Sequence, residues 1–182
     1  MQKKDVLITG SFLALGLYCI GKRRKYMPKG AVIVAPFDMD SYLGKWYEIA
    51  RLDFIHEKNL SHCSATYSKE QNGHIKVVNQ GYNMKTGAFQ EAVGKAKFRM
   101  VPNIGALKVS FFGPFYSGYN VIALDPAYQS ALIAGDNLHY LWILSRRKTL
   151  GVKIKRAYMA IAESLGYDTD ALVWTNQKKE EI

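Results

Sequence analysis

The chain has 182 residues and a formal net charge of +10 at pH 7, and this length suits one domain that buries a core without metal or disulfide staples. Residues 1–30 hold seven basic side chains against Asp5, so they carry a net charge of +6, and the rest of the chain carries only +4 from 18 basic and 14 acidic side chains. This balance, with no stripe of basic residues among exposed aromatic ones, argues against nucleic acid as a partner.

The first 30 residues predict an N-terminal signal or membrane-anchor segment ahead of a single domain over residues 31–182. Two lysines precede an apolar run from Val6 to Ile20, and a basic cluster follows at residues 22–25. The run is shorter than the ~20 residues that a membrane-spanning helix needs. It is typical of an export signal, or of an anchor that lies in the membrane surface.

The sequence is compatible with three ways in which this segment is processed or retained. An exported lipoprotein would be cleaved and diacylated at Cys19, although that processing favours small residues where Leu17 and Tyr18 stand. Cleavage after Gly16 would release a soluble protein, and an uncleaved segment would hold its basic cluster on lipid headgroups. We predict a lipid-anchored or membrane-tethered form, which makes the membrane a partner of the chain.

From Gly44 onward, runs of roughly eight to ten residues alternate with turn signals, which is typical of an antiparallel meander. Asn72 and Gly73 predict a type I′ hairpin turn, in which both central residues take positive φ. Eight antiparallel strands can close into a barrel that has no exposed edge and that holds side chains or one small ligand. The predicted strands are residues 45–54, 62–68, 74–83, 88–98, 106–112, 118–125, 130–135 and 139–145.

After residue 146 the apolar residues follow a helical period. Ile154, Tyr158 and Ile161 share one face, and Gly166 suits a left-handed C-terminal cap. We expect this helix to pack on the outer wall of the barrel, followed by a short strand over residues 171–175. The predicted fold is therefore all-β with one helix: an eight-stranded antiparallel up-and-down β-barrel with a C-terminal helix and a short final strand.

Three residues predict how the barrel closes at one end. Gly44 and Trp46 open the first strand, and Arg146 ends the eighth. An indole can plug the narrow end of a small barrel, and a guanidinium laid on its face gains cation–π attraction while its donors stay hydrogen-bonded. We therefore expect Gly44, Trp46 and Arg146 to form a structural seal.

Side chains alternate along a strand, and this rule predicts which residues face the interior. It places Trp46, Glu48 and Ala50 on one side of the first strand, without giving Glu48 a role. On the sixth strand it groups Tyr119 and Val121 with Ala123, a small residue that would leave room for a ligand. Which face of the fourth strand points inward stays open. The other small wall residues are Ala65, Gly81, Gly94 and Ala96.

The chain resembles the lipocalin family, and within it the bacterial outer-membrane lipoprotein lipocalins and the apolipoprotein D branch. The match rests on YLGKWYEIAR at positions 42–51, KVSFFGPFY at 108–116, YNVIALD at 119–125 and YLWILSR at 140–146. The resemblance implies a cup-shaped barrel that binds, stores or transports small hydrophobic ligands in the bacterial envelope. Fatty acids and lysophospholipids are the expected ligands, and an outer-membrane lipoprotein facing the periplasm is the expected location.

The resemblance also suggests which residues contact the ligand. We expect the contacts to come from inward-facing strand positions and from the mouth loop around Tyr116. Acyl chains need an apolar sleeve with a few polar groups, and Asn79 would need a partner there because an unpaired amide in an apolar cavity is costly. The expected ligand-binding residues are Tyr67, Asn79, Phe111, Tyr116, Tyr119, Val121, Trp142 and Leu144.

Two other functions are compatible with the residues. Some lipocalins are enzymes that use a thiol inside the barrel, and Cys63 has inward parity on the second strand, but His62 beside it faces the other way. A tetrapyrrole or haem carrier would need an iron ligand near the mouth, and no motif places one. The four histidines show no metal-ligand spacing. We therefore predict no metal, no cofactor and no enzyme activity, and a homodimer is compatible with the sequence.

Overall fold

The computed structural model describes residues 26–52 and 58–177. Within these residues the chain folds into one sheet of nine strands with two helices; the strands and the C-terminal helix agree with the sequence prediction, and the short helix before the first strand was not predicted. The elements are α1 (Met39–Tyr42), β1 (Gly44–Leu52), β2 (Leu60–Lys69), β3 (Ile75–Asn83), β4 (Ala88–Phe98), β5 (Ala106–Ser110), β6 (Ser117–Leu124), β7 (Ser130–Ala134), β8 (Leu141–Ser145), α2 (Val152–Ser164) and β9 (Leu172–Trp174).

No helix in this described part of the chain is both long and apolar enough to cross a membrane. The predicted anchor over residues 1–30 lies outside the described residues except for its last five positions.

The sheet closes on itself because β1 pairs with β8 on one side and with β2 on the other. Strands that follow one another from β2 to β8 pair as antiparallel neighbours, so the closed eight-stranded barrel is confirmed. The β1–β2 pairing covers only Gly44–Tyr47 against Ser64–Tyr67. Further along, β1 pairs with β9 instead, from Ala50 opposite Trp174 to Leu52 opposite Leu172.

Two apolar layers hold the fold together. One fills the barrel interior around Trp46, Tyr67 and Leu144. The other lies between the outer wall and α2, where Leu132 and Ile143 meet residues of the helix. The helix is also fixed by a hydrogen bond between the hydroxyls of Tyr158 and Ser130, 3.0 Å apart. The predicted packing of the C-terminal helix on the outer wall is confirmed.

β-Bulges on β1 and β6 change which of their side chains face inward. The β1–β8 register shifts between Glu48 and Ala50, and the β6–β7 register shifts between Val121 and Ala123. A bulge adds one residue to one strand, which reverses the alternation beyond it. The predictions that Ala50 and Ala123 face inward are therefore wrong, because both pack in the outer layer beneath α2.

The predicted type I′ turn at Asn72 and Gly73 is also wrong. Of the two residues, Gly73 takes a positive φ of 79° and Asn72 does not. The turn spans residues 70–74: Gly73 N–H donates to the Glu70 carbonyl at 3.0 Å, and the Asn72 side chain accepts from His74 N–H at 2.8 Å. The Asn72 side chain thus caps the loop, as Asn commonly does in turns.

One end of the barrel is sealed by Trp46 and Arg146. The Arg146 guanidinium carbon lies 3.9 Å from the Trp46 ring centroid, and Trp46 is fully buried. Arg146 donates to the carbonyls of Lys45 at 2.9 Å and Leu43 at 2.7 Å, so its donors are used while its face covers the indole. Gly44 has a φ of +90°, a conformation that other residues adopt only with strain.

We predict that Trp46→Ala lowers the free energy of unfolding by about 3–5 kcal/mol, because it removes a large, fully buried aromatic side chain. For a domain of this size the melting temperature should fall by roughly 6–20 °C. Trp174→Ala is the matched control, since Trp174 is 40% exposed on β9. A melting temperature for Trp46→Ala within a degree or two of wild type, measured by circular dichroism, would contradict the role of Trp46 as a plug.

Candidate functional site

A cluster of three tyrosines forms the floor of the barrel interior. The hydroxyl of Tyr119 lies 2.6 Å from that of Tyr42 and 2.9 Å from that of Tyr67. The Tyr42 ring in turn lies 4.7 Å from that of Trp46, so the cluster stands directly on the sealed end. The three hydroxyls are therefore hydrogen-bonded to one another.

Burial changes the ionisation of this cluster. It raises the pKa of Tyr42 and of Tyr119 well above the usual 10.0, because a phenolate there would lose its hydration. The nearby hydroxyls of the other tyrosines raise the pKa of Tyr119 further. At neutral pH the floor of the barrel is therefore uncharged. Tyr42, which sequence reasoning did not select, reaches this cluster from α1, outside the strand pattern.

Above the floor, the interior is lined by side chains that remain partly accessible. Asn79, Phe111 and Trp142 belong to this set, and all three are only half-buried although the register turns them inward. Leu144 lies deeper and is buried between Glu48 and Ala131. In the half of the barrel away from Trp46, here called the open half, these inward-facing side chains are therefore not fully covered by the residues around them.

The fourth strand presents small residues to this space. The pairing of Ile75 with Ala96 fixes the inward face as Ala92, Gly94 and Ala96, which answers the question that the alternation rule left open. A Cβ atom on Gly94 would stand 2.7 Å from the Phe111 ring, so the glycine makes room for that aromatic side chain. Ala92 is exposed, since β5 covers β4 only from Lys95 to Phe98.

One polar atom in this lining has no partner. The Asn79 side-chain oxygen is buried and accepts no hydrogen bond from any described residue. Its neighbours across the sheet are Ala65 on β2 and Ala92 on β4, which have no side-chain donor. A buried acceptor without a donor costs about 1–3 kcal/mol, so a ligand that donates to it would regain that free energy.

A buried ion pair lies nearer the mouth. Arg51 donates to the Glu48 carboxylate at 2.6 Å, and only 1% of Arg51 is exposed. Arg51 stands opposite Trp142, which places it on the inner face. Strict alternation from Trp46 would have pointed Arg51 outward, and the bulge after Glu48 brings it in. Glu48, which had no predicted role, is therefore the counter-ion of Arg51.

The C-terminal segment connects this pair to the barrel wall. The Thr175 hydroxyl donates to the Glu48 carboxylate at 2.6 Å. The Gln177 side-chain amide donates to the carbonyls of Glu48 at 2.8 Å and Cys63 at 2.7 Å. Residues 172–177 therefore fill the opening between β1 and β2 where those two strands no longer pair.

Cys63 lies beside the ion pair. Its sulfur is 3.9 Å from an Arg51 nitrogen and 3.6 Å from the Ser61 carbonyl, and the residue is buried. Arg51 is neutralised by Glu48, and the neighbouring His62 bonds the Ser61 hydroxyl at 2.9 Å. Within residues 26–52 and 58–177 no group of three or more His, Cys, Asp or Glu side chains could hold a metal ion.

The structure does not bring every predicted contact residue into the open half. Tyr67 and Tyr119 belong to the floor, and Val121 is fully buried beneath it, near Gly105. Tyr116 lies on the outer face, where the amines of Lys97 and Lys108 each stand 5.0 Å from its ring centroid. Cys19, the predicted lipid attachment site, lies outside the described residues.

Known proteins are similar to this chain in sequence. A family model described as a lipocalin-like domain matches residues 37–177. Outer membrane lipoprotein Blc of Escherichia coli (strain K12) is 48% identical over 150 residues, which cover 82% of this chain and 85% of that protein. Apolipoprotein D of Cavia porcellus is 30% identical over 149 residues, covering 78% of this chain and 77% of that protein.

Solved structures agree on the fold. Insecticyanin from the tobacco hornworm Manduca sexta superposes with a TM-score of 0.65, covering 85% of this chain and 87% of that chain at 19% identity. At that identity the likeness concerns the barrel alone.

We predict that stability falls as pH rises above about 10, because the unfolded tyrosines lose protons there while the buried Tyr42 and Tyr119 keep theirs. Below that pH both states are protonated, so these groups add no pH dependence. Each retained proton contributes a slope of about 1.36 kcal/mol per pH unit. Tyr119→Phe should lessen the slope in urea unfolding between pH 9 and 11, by about one proton.

Phe98→Leu is the control, since it weakens the same interior cluster without removing a phenol. It should lower stability equally at all of these pH values. An unchanged alkaline slope in Tyr119→Phe would show that this hydroxyl ionises as easily in the folded protein as in the unfolded chain.

Proposed function

Because this chain belongs to the lipocalin family, we propose that its barrel binds and carries one lipid with a single acyl chain, a fatty acid or a lysophospholipid. The observation that carries the proposal is the contrast between the two halves of the interior. The half next to Trp46 is filled and internally hydrogen-bonded, and the half towards the mouth has accessible apolar walls and one unpaired acceptor.

The walls suit an acyl chain. Phe111, Trp142 and Leu144 provide aromatic and aliphatic surface, and Ala92 on β4 adds a small apolar side chain. Burying hydrocarbon is worth about 0.8 kcal/mol per CH₂ group, so twelve methylenes would supply roughly 10 kcal/mol before ordering costs are subtracted. Affinity should therefore depend mainly on chain length, and polar contacts should select among headgroups.

The unpaired oxygen of Asn79 favours a headgroup that carries a hydrogen-bond donor. An ionised carboxylate has acceptors only, whereas the glycerol hydroxyl of a lysophospholipid can donate. The side chain would thus distinguish two ligands with identical tails. This supports the lysophospholipid over the fatty acid where both are present.

The similar proteins support a location in the cell envelope. Those from Escherichia coli and Vibrio cholerae are named outer membrane lipoproteins, and the second is 42% identical over 161 residues. We propose that this chain is likewise held at the outer membrane through its N-terminal segment. Cys19 is the attachment point that fits this form of anchoring.

Trp142→Glu should weaken binding of a fluorescent fatty-acid probe at least tenfold, because a carboxylate in the apolar wall opposes both the tail and the acidic head. The barrel should stay folded, since residue 142 is only half-buried and a carboxylate there can remain in contact with water. Trp174→Glu, on the outer strand β9, is the matched control and should bind as wild type does. Equal affinity of Trp142→Glu and wild type would exclude Trp142 from the pocket.

Asn79→Leu keeps the side-chain size and removes the acceptor. We expect it to weaken lysophosphatidylglycerol roughly fivefold, the value of one hydrogen bond, in displacement of the same probe. A fatty acid of equal chain length should bind at least as well as it does to wild type. If both ligands lose affinity equally, Asn79 contributes to the shape of the pocket and does not discriminate between the two headgroups.

A further inference from the structure

The outer face of β3, β4 and β5 carries lysines directly opposite one another. Lys76 on β3 pairs with Lys95 on β4, and Lys97 on β4 pairs with Lys108 on β5. All four point away from the interior, since Ala96 between Lys95 and Lys97 lies in the inner core. We call these four residues the lysine wall. Like charges directly opposite each other destabilise a sheet, so the arrangement is costly for the isolated barrel.

None of the four lysines forms an ion pair with a carboxylate in the described part of the chain. The ion pairs found in residues 26–52 and 58–177 join Arg51 to Glu48 and Lys69 to Asp40. Glu91 lies on the same face of β4, and its carboxylate accepts from the Gln80 amide at 3.0 Å. The wall therefore presents net positive charge to whatever covers it.

The wall also has features of a membrane interface. Tyr116 lies between the amines of Lys97 and Lys108, and tyrosine is enriched where the membrane meets water. Further along the outer face of β4 stand Val93, 52% exposed, and Phe89, 65% exposed. A basic surface bordered by exposed apolar side chains is the combination that binds anionic lipids.

The N-terminal segment joins the barrel beside this wall. Lys108 pairs with Gly118 on β6, and the Tyr26 carbonyl lies against Gly118, where a Cβ atom would be only 2.1 Å from it. The Asn120 amide donates to the same carbonyl at 2.6 Å, and the Arg99 guanidinium lies 5.3 Å from the Tyr26 ring centroid. Tyr26, which directly follows the basic residues 22–25 in the sequence, therefore lies one strand away from Lys108.

From these observations we propose that the lysine wall is a docking surface for the anionic lipid headgroups of the membrane that tethers the chain. The anchor brings the wall to the headgroups, and the headgroups supply the negative charge that the barrel lacks. A second copy is a poorer occupant, since a symmetric contact through this face would set the same lysines against one another. With β3–β5 on the membrane, α2 on the far side of the barrel faces away from it.

Amine acetylation of the full-length chain bound to vesicles tests the orientation. One preparation uses phosphatidylcholine alone and the other adds phosphatidylglycerol, and mass spectrometry reads the rate at each lysine. On the anionic vesicles the wall lysines should react at least fivefold more slowly, the factor that one surface-bound lysine contributes to affinity. Lys148 and Lys153, exposed near the start of α2, should react equally on both. Salt at about 1 M, which shortens the Debye length to about 3 Å, should remove the protection.

Paired variants separate the wall from the anchor. In K97Q/K108Q the remaining wall lysines, Lys76 and Lys95, should lose their protection on anionic vesicles. In the matched control K148Q/K153Q they should keep it.

Wall lysines that react equally on both vesicles, or that are protected on phosphatidylcholine alone, would overturn the proposal. Protection that grows with protein concentration without vesicles would also overturn it, by showing that a second copy covers the wall. Displacement of the fluorescent probe from the barrel interior tests lipid carriage, and lysine acetylation tests membrane docking. Either proposal can therefore be overturned while the other stands.

Discussion

The contact between the Arg146 guanidinium and the Trp46 indole determines what the rest of the barrel can do. It joins the beginning of β1 to the end of β8, and the arginine donors bind backbone carbonyls between Ser41 and Lys45. A charged group is therefore held at the base of an apolar core without an unpaired donor. Because this end is closed by two side chains and the tyrosine floor above them, the opposite end is free to stay open.

Polar groups are distributed along the barrel in a way that fits this division. On the floor, the three tyrosine hydroxyls satisfy one another and stay neutral. Midway, Asn79 keeps an acceptor without a donor. Near the mouth, the charge of Arg51 is cancelled by Glu48. A tail that enters the barrel thus meets no net charge, and the unpaired Asn79 oxygen lies where a headgroup could donate to it.

Much of this arrangement could be predicted from the sequence, because turn signals and alternation are local properties. The strands, the α2 helix and the approach of Trp46 to Arg146 follow from such patterns. The bulges after Glu48 and Val121 do not, since an extra residue leaves no mark in composition yet reverses the parity beyond it. Ala50 and Ala123 were misplaced for that reason. Tyr42 was missed because it reaches the floor from a helix of four residues.

The lysine wall depends on pairing between strands. Lys76 and Lys95 are 19 positions apart in the sequence, and only the β3–β4 register sets them side by side. The same holds for Tyr26 and Gly118, whose contact places Tyr26 beside the wall. Features of this kind can be predicted only when the pairing register of the strands is known. The sequence leaves that register open within one or two residues at each turn.

Residues 172–177 complete the barrel wall between β1 and β2, and this has a consequence for biosynthesis. The bond from Gln177 to Glu48 joins residues 129 positions apart. A chain made from its N-terminus therefore cannot fill that opening until nearly all of the barrel has left the ribosome. Until then the opening between β1 and β2 stays unfilled, and β1 lacks its β9 partners from Ala50 to Leu52.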